Sequence, residues 1–274
     1  MERAYDIEDL KRLMERLRDP AYGCPWDLKQ TYQSIAPFTL EECLELIDAL
    51  EQSDYEHVEE ELGDLLFQVI FYAQLGKEEG RFDFDSVVSG ITAKLLRRHP
   101  HVFKDGELEG VIEDRTSMAT IKANWEKTKA EERADRSQTS VMDDVPATLG
   151  ALSRAQKLQK RAATVGFDFS SASEVSTRLL DEYRELEQAM VSGDQNEIEN
   201  ELGDILFTVV NIARHLKVDS EAALRKANRR FEDRIRSVEH DAAAEGASLV
   251  AESTERLEER WQKTKLNENN KHGL

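Results

Sequence analysis

Two heptapeptides, Glu61-Leu-Gly-Asp-Leu-Leu-Phe67 and Glu201-Leu-Gly-Asp-Ile-Leu-Phe207, differ at one position, Leu65 against Ile205. Each sets a Glu and an Asp three apart, a spacing that puts both carboxylates on one face of a helix. Upstream of each lies a second acidic pair, Glu42 with Glu45 and Glu182 with Glu185. Glu42 precedes Glu61 by 19 residues, and Glu182 precedes Glu201 by the same 19. A helical hairpin with a short loop brings the two pairs of each copy face to face. The result is one four-carboxylate set, Glu42, Glu45, Glu61 and Asp64, and another, Glu182, Glu185, Glu201 and Asp204. Facing like charges destabilise a fold unless something offsets them, and hard divalent cations with oxygen ligands do so. An all-carboxylate set suits Mg²⁺ or Mn²⁺. Di-iron bundles use Glu-x-x-His instead, and no His stands three residues after any of these glutamates.

The plain alternative is a solvated acidic face, in a chain where 34% of residues are charged. Glu42 has a second plain role, as the third-position acid of a capping box in Thr39-Leu-Glu-Glu42. In the second copy the helix is expected to start near Ser173, so Glu182 falls mid-helix and caps nothing. The acid persists where the capping role does not. Gly63 and Gly203 interrupt the acid-bearing helices at about 1 kcal/mol each relative to Ala. Either a close helix crossing or room for a metal or phosphate accounts for them.

Cations also recur in order. Lys94 and Arg98 follow the first heptapeptide, and Lys226 and Arg230 follow the second; Trp125-Glu-Lys-Thr-Lys129 is answered by Trp261-Gln-Lys-Thr-Lys265. Cations one helical turn apart grip phosphate oxygens, and a Trp one turn from a Lys offers a stacking face for a base. The plain alternative is a core tryptophan with exposed lysines. No Gly-x-x-x-x-Gly-Lys-Ser/Thr loop is present, nor a Ser or Cys nucleophile in motif context.

Glu-Glu-x-x-Glu followed by Glu-x-x-Asp, with the later Lys, Arg and Trp, resembles the MazG-type nucleoside triphosphate pyrophosphohydrolases. The duplication covers nearly the whole chain and resembles the tandem form of that family. The resemblance implies an all-α pyrophosphohydrolase fold, dimerisation through helix packing, Mg²⁺ dependence, and cleavage of nucleoside triphosphates to monophosphate and diphosphate. It maps metal ligands onto Glu182, Glu185, Glu201 and Asp204, and by the same motif onto Glu42, Glu45, Glu61 and Asp64. Nucleotide contacts map onto Lys226, Arg230, Trp261 and Lys265. One departure is Asp181, where the pattern has Glu. Water attack at the α-phosphorus is expected, with Glu182 or Glu185 taking the proton. The rivals are an all-α pyrophosphohydrolase restricted to one nucleotide, and a non-catalytic helical protein that binds a nucleotide or partner with structural Mg²⁺. Arg178, four residues before Glu182, is placed to reach a phosphate; the plain alternative is an Arg178–Glu182 ion pair worth about 0.3–0.5 kcal/mol. The matching position in the first copy is Phe38, behind Pro37. The interval from Asp204 to Lys226 is 22 residues against 30 from Asp64 to Lys94. Both features point to the C-terminal repeat as the principal site.

The elements that must hold these residues read as two repeats of one all-α unit. Helices are expected over 7–18, from Thr39 to about Glu51, from Ser53-Asp54 to near Gly80, from Asp83 or Asp85 through Arg98, and around Trp125 and Lys129. The order returns with helices over about 149–161, 174–191, from Gly193-Asp194, from Asp219-Ser220, and from Glu252 to Lys265. The polar, unpatterned stretch 130–147 supplies a linker at 133–147 between an N-terminal domain, 1–132, and a C-terminal one, 148–274. Apolar ladders at Leu62, Leu65, Leu66, Val69, Ile70 and Ala73, and at Leu202, Ile205, Leu206, Val209, Val210 and Ala213, predict one buried face per copy. Phe67, Phe71 and Phe207 project off those ladders. A two-helix hairpin cannot bury so wide a face, so a second layer is required, and a homodimer is expected. Fifty-six acidic against 37 basic residues, net −19, argue against nucleic acid or an anionic membrane as partners. Two cysteines outside any motif, a start unlike a signal peptide and no membrane-length apolar run predict a cytoplasmic protein.

Overall fold

The computed structural model describes residues 4–110, 117–118, 120–121, 124–125, 128 and 140–271, without the side chains of 269–271. The chain forms two compact units, Met1–Glu131 and Glu132–Leu274. Among the described residues every regular element is helical, so the expected all-α repeat is what the chain adopts.

The first unit holds α1 (Ile7–Leu17), α2 (Tyr32–Gln52), α3 (Tyr55–Glu78) and α4 (Phe84–Arg98). Side chains that accept from first-turn amides start all four: Asp6, Thr31, Asp54 and Asp83. Ser53, at φ 59°, closes α2 in the left-handed conformation, and Asp54 caps α3 immediately after it. This two-residue turn folds α2 and α3 into a hairpin, and α1 and α4 pack on α3. Helix α2 starts well before the expected Thr39 because Thr31 and Ser34 form the capping box. Pro37 lies inside the helix and forfeits one backbone bond there. The extra turns bury Ile35, while the Thr39 hydroxyl donates to the Ile35 carbonyl at 3.2 Å and lies 3.0 Å from the Tyr72 hydroxyl. The core is Met14, Ile35, Ile70, Phe71 and Leu75.

The second unit holds α5 (Ala151–Ala163), α6 (Ala172–Ser192), α7 (Gln195–His215), α8 (Ser220–Ala244) and α9 (Thr254–Lys271). Gly193, at φ 74°, ends α6 and Asp194 caps α7, repeating the two-residue turn. Helix α5 packs on α7 and α8, and α9 packs on α8. The turn into α9 is pinned by buried Arg260, whose guanidinium donates to Glu252 and Glu245, each at 2.7 Å. The last helix continues to Lys271, beyond the expected Lys265. Of the expected linker, residues 133–139 lie outside the described residues.

The ladders are not the buried faces that their period predicts. Ile70 and Ala73 are buried, but Leu62, Leu66 and Val69 are exposed, as are Leu202, Leu206 and Val209. Each hairpin helix has two apolar sides, and α1 or α5 covers only one of them. Phe71, expected to project away, is 1% exposed and sits in the core, while Phe67 packs edge-on against it at 6.1 Å.

Candidate functional site

Each hairpin gathers its acids near the middle of its two helices. One oxygen from each of Glu42, Glu45 and Glu61 lies within 4.8 Å of the others; Glu182, Glu201 and Asp204 form the matching trio in the second unit. The fourth expected acid of each set stands just outside and acts through charge. Burial first, then the charges of Asp64, Glu45 and Glu61, hold the Glu42 carboxyl above its ordinary pKa. Burial, then Glu185, Asp204 and Glu182, raise Glu201 in the same way, with Arg178 pulling in the opposite direction.

One glutamate of each trio is driven into the fold: Glu61 is 5% exposed and Glu182 6%. A basic group four residues earlier holds one of its oxygens. His57 Nε2 lies 2.7 Å from Glu61 Oε1, and Arg178 Nε lies 2.7 Å from Glu182 Oε1. The other oxygens, Glu61 Oε2 and Glu182 Oε2, are buried and accept no hydrogen bond, and Glu201 Oε2 shares this condition. A buried carboxylate oxygen without a partner is costly. Three converging acids with orphaned oxygens and no nitrogen or sulfur donor among them fit a hard divalent cation of the Mg²⁺ type.

The two sites differ in which helix supplies the basic group. Arg178 sits on α6, beside Glu182, with Nη1 3.6 Å from Glu185. In the first unit it is His57 on α3, the opposite helix of the hairpin. Phe38, the sequence counterpart of Arg178, is helical despite Pro37 and meets Trp26 edge-on at 5.9 Å. A Cβ added at Gly63 or Gly203 would meet no atom within 4 Å, so neither glycine marks a close helix crossing within its unit.

Lys226 and Arg230 are exposed on α8; Trp261 and Lys265 are half-buried on α9. Among the described residues no hydrogen bond or ion pair joins Lys226, Arg230 or Lys265 to the carboxylates. Trp261 packs on Phe231 at 5.5 Å, and the Arg234 guanidinium lies 5.5 Å from its ring centre. In the first unit the guanidinium over Trp125, at 5.4 Å, is Arg98; Lys129 lies outside the described residues. Arg98 stands 15 residues after the cap Asp83, and Arg234 stands 15 after the cap Asp219. Arg234 is thus the counterpart of Arg98, and Arg230 that of Lys94. Pairing Lys226 with Lys94 sets the repeats one turn out of register. Arg234 was missed for that reason, although the shared cap Asp was the signal that fixes the register. In this register the acid-to-cation interval is 26 residues from Asp204 to Arg230 against 30 from Asp64 to Lys94. The difference of four accumulates before the caps, where α3 has 24 residues and α7 has 21. The interval therefore does not separate the two sites.

A family model described as the MazG nucleotide pyrophosphohydrolase domain matches the chain twice, over residues 30–103 and 170–238. Each match takes in one carboxylate hairpin. A nucleoside triphosphate pyrophosphohydrolase of Escherichia coli K12 is 48% identical over 266 residues, covering 96% of this chain and 98% of its own. A nucleoside triphosphate pyrophosphohydrolase/pyrophosphatase MazG of Thermotoga maritima is 40% identical over 94% of this chain and 95% of its own. A solved structure of a mazG-related protein from Thermotoga maritima aligns with 45% of this chain and 99% of its own, at 25% identity and a TM-score of 0.38.

Proposed function

The chain belongs to the MazG nucleotide pyrophosphohydrolase family, and from that premise we propose a Mg²⁺-dependent enzyme that hydrolyses nucleoside triphosphates to monophosphate and diphosphate. The main support within the molecule is the duplicated acid trio, each with a buried glutamate oxygen left without a partner. In the second unit Glu182, Glu201 and Asp204 would hold the cation. A divalent ion bound there supplies charge neutralisation of the triphosphate and a lowered water pKa.

The remaining roles fall to the chain's own side chains. Glu182 is fixed by Arg178, so its free oxygen is aimed rather than mobile. Glu185 stands outside the trio and is only partly engaged, at 3.6 Å from Arg178. Of the two acids favoured from the sequence it is therefore the one free to take the proton of the attacking water. Arg178 is exposed enough to exchange Glu182 for a phosphate oxygen. Arg230 on α8 completes the cationic side, together with Lys226 and with Lys265 on α9; Arg234, one turn on, joins them only by releasing Glu268, which it holds at 2.8 Å. The exposed stripes Leu62, Leu66, Val69 and Leu202, Leu206, Val209 support a homodimer in which a second copy supplies the missing layer.

Purified full-length protein is expected to convert nucleoside triphosphates to monophosphate plus diphosphate with Mg²⁺, and to be inert in EDTA. Release of nucleoside diphosphate and orthophosphate would sink the proposed bond cleavage. Turnover of a single triphosphate among all ribo- and deoxyribonucleotides would favour the restricted-substrate reading.

A further inference from the structure

We propose that the cavity beside α7 in the second unit is a pocket for the nucleobase, an inference that rests on the nucleotide chemistry proposed above. The cavity has a volume of about 510 Å³ and is walled by Leu158, Phe169 and Phe207 with Gln159, Asn211 and Arg214. The two repeats are offset by 140 residues at their heptapeptides, Glu61 to Glu201, so Asn211 stands where the first unit has Phe71. Phe71 is fully enclosed there, packed with Met14 and Leu75 beneath the guanidinium of Arg18, 5.3 Å from its ring centre. The same place in the fold is filled core in one repeat and open, aromatic-walled space in the other.

Two polar side chains on that wall carry unused hydrogen-bonding atoms. Gln159 is 6% exposed, and its Nε2 donates to the Phe207 carbonyl at 2.8 Å. That bond fixes the amide orientation and leaves Oε1 as a buried acceptor without a donor. Arg214 is neutralised by Asp168, at 3.0 Å from Nη1, and donates to Asn211 Oδ1 at 2.8 Å. Its Nε–H is a buried donor without an acceptor. Two phenylalanine faces with an unpartnered acceptor and an unpartnered donor held just behind the cavity surface suit a planar heteroaromatic ring that carries both kinds of group, met by a turn of the Gln159 or Arg214 side chain. Because Arg214 is already paired with Asp168, the pocket suits a neutral ring better than a phosphate. Placement agrees: Phe207 follows Asp204 by three residues, about 4.5 Å along the helix. The pocket thus lies about one turn beyond Asp204 along the same helix, the side on which a base would follow phosphates held at the acids.

The test is equilibrium binding to the full-length protein in Mg²⁺, comparing the four nucleoside 5′-monophosphates with ribose 5-phosphate. At least one monophosphate is expected to bind about tenfold or more tighter than the sugar phosphate. Gln159→Leu should shrink that ratio by about fivefold, and Asn211→Phe, which installs the residue of the first repeat, should abolish it. Ribose 5-phosphate binding should be unchanged in both. Equal binding of base-bearing and base-free ligands, no binding of either, or a ratio that survives both substitutions would overturn the pocket. If Asn211→Phe fails to fold by circular dichroism, Gln159→Leu decides alone. Absence of triphosphate turnover in the unaltered protein would instead sink the catalytic reading, and the binding ratio would still be read separately.

Discussion

Replacing Glu182 by Gln separates a metal-binding acid cluster from a merely solvated one, because the two assign opposite effects to the same change. The side chain is 6% exposed, holds an unpartnered oxygen, and stands among Glu201 and Asp204 within 4.8 Å. Without metal, neutralising it removes a like charge from that group and leaves Arg178, which is 44% exposed, free to turn to Glu185 or water. Metal-free stability is therefore expected to hold or rise. With metal the balance reverses. Mg²⁺ at about 100 times its dissociation constant adds about 2.7 kcal/mol to the folded unit, which at about 2–4 °C per kcal/mol raises its Tm by about 5–11 °C. A trio reduced to two carboxylates, with affinity down about 100-fold, retains about 0.4 kcal/mol, a shift of about 1–2 °C. Glu61→Gln should act likewise on the first unit. The pH sign follows from Glu42 and Glu201, whose carboxyls lie above the ordinary 4.5 through burial and their acidic neighbours. The folded state holds these protons more tightly than the unfolded chain. Their favourable contribution is complete below pH 4.5 and is lost as pH rises through the raised values. The Mg²⁺-induced shift should therefore grow as pH rises through that window. The assay is differential scanning calorimetry of the full chain with and without Mg²⁺ at several pH values. A full Mg²⁺ shift retained by the double variant Glu61→Gln/Glu182→Gln refutes the cluster as the binding site.

Two further outcomes are expected. Glu182→Gln should lower kcat for triphosphate hydrolysis by at least about 100-fold, while Glu42→Gln should leave most turnover; the reverse pattern would mean that the repeats' roles have been assigned the wrong way round. In light scattering at micromolar concentration the protein should weigh about twice its 31.3 kDa chain, and Leu66→Arg with Leu206→Arg should lower that mass; a native mass near one chain would refute the dimer.

The acid sets were legible because duplication removes chance: a Glu in one helix is common, whereas the same four acids at the same 19-residue interval in two hairpins are not. The hairpins themselves were legible from Gly193-Asp194 and Ser53-Asp54, whose turn chemistry folds one helix back on the next. Two kinds of feature were not. The start of α2 was hidden because Pro37 reads as a stop, and only the burial of Ile35 and the Thr31–Ser34 cap show that the helix tolerates it. The buried side of α3 and α7 was hidden because both sides are apolar; periodicity names a face but not which neighbour covers it. Phe71 belongs to the covered side and Leu66 to the other, and nothing local distinguishes them.

The differences between the repeats matter more than their likeness. Both trios keep the carboxylates, so a common ancestral unit explains the acids without implying equal activity today. What has diverged is the surroundings: Arg178 against Phe38 beside the acids, and Asn211 against Phe71 beyond them. Each exchange sets a polar side chain in the second unit where the first has a phenylalanine: Arg178 is 44% exposed against a half-open Phe38, and Asn211 borders a cavity where Phe71 is fully enclosed. On the proposed reading the Arg178 exchange would supply a phosphate-reaching cation, and the Asn211 exchange would open space for a ring. The first unit keeps its acids and the cation and tryptophan counterparts Lys94, Arg98 and Trp125, but lacks both of these proposed substrate-facing features. The intrinsic asymmetry thus favours chemistry in the C-terminal unit even though the acid sets alone, and the acid-to-cation intervals, leave the choice open.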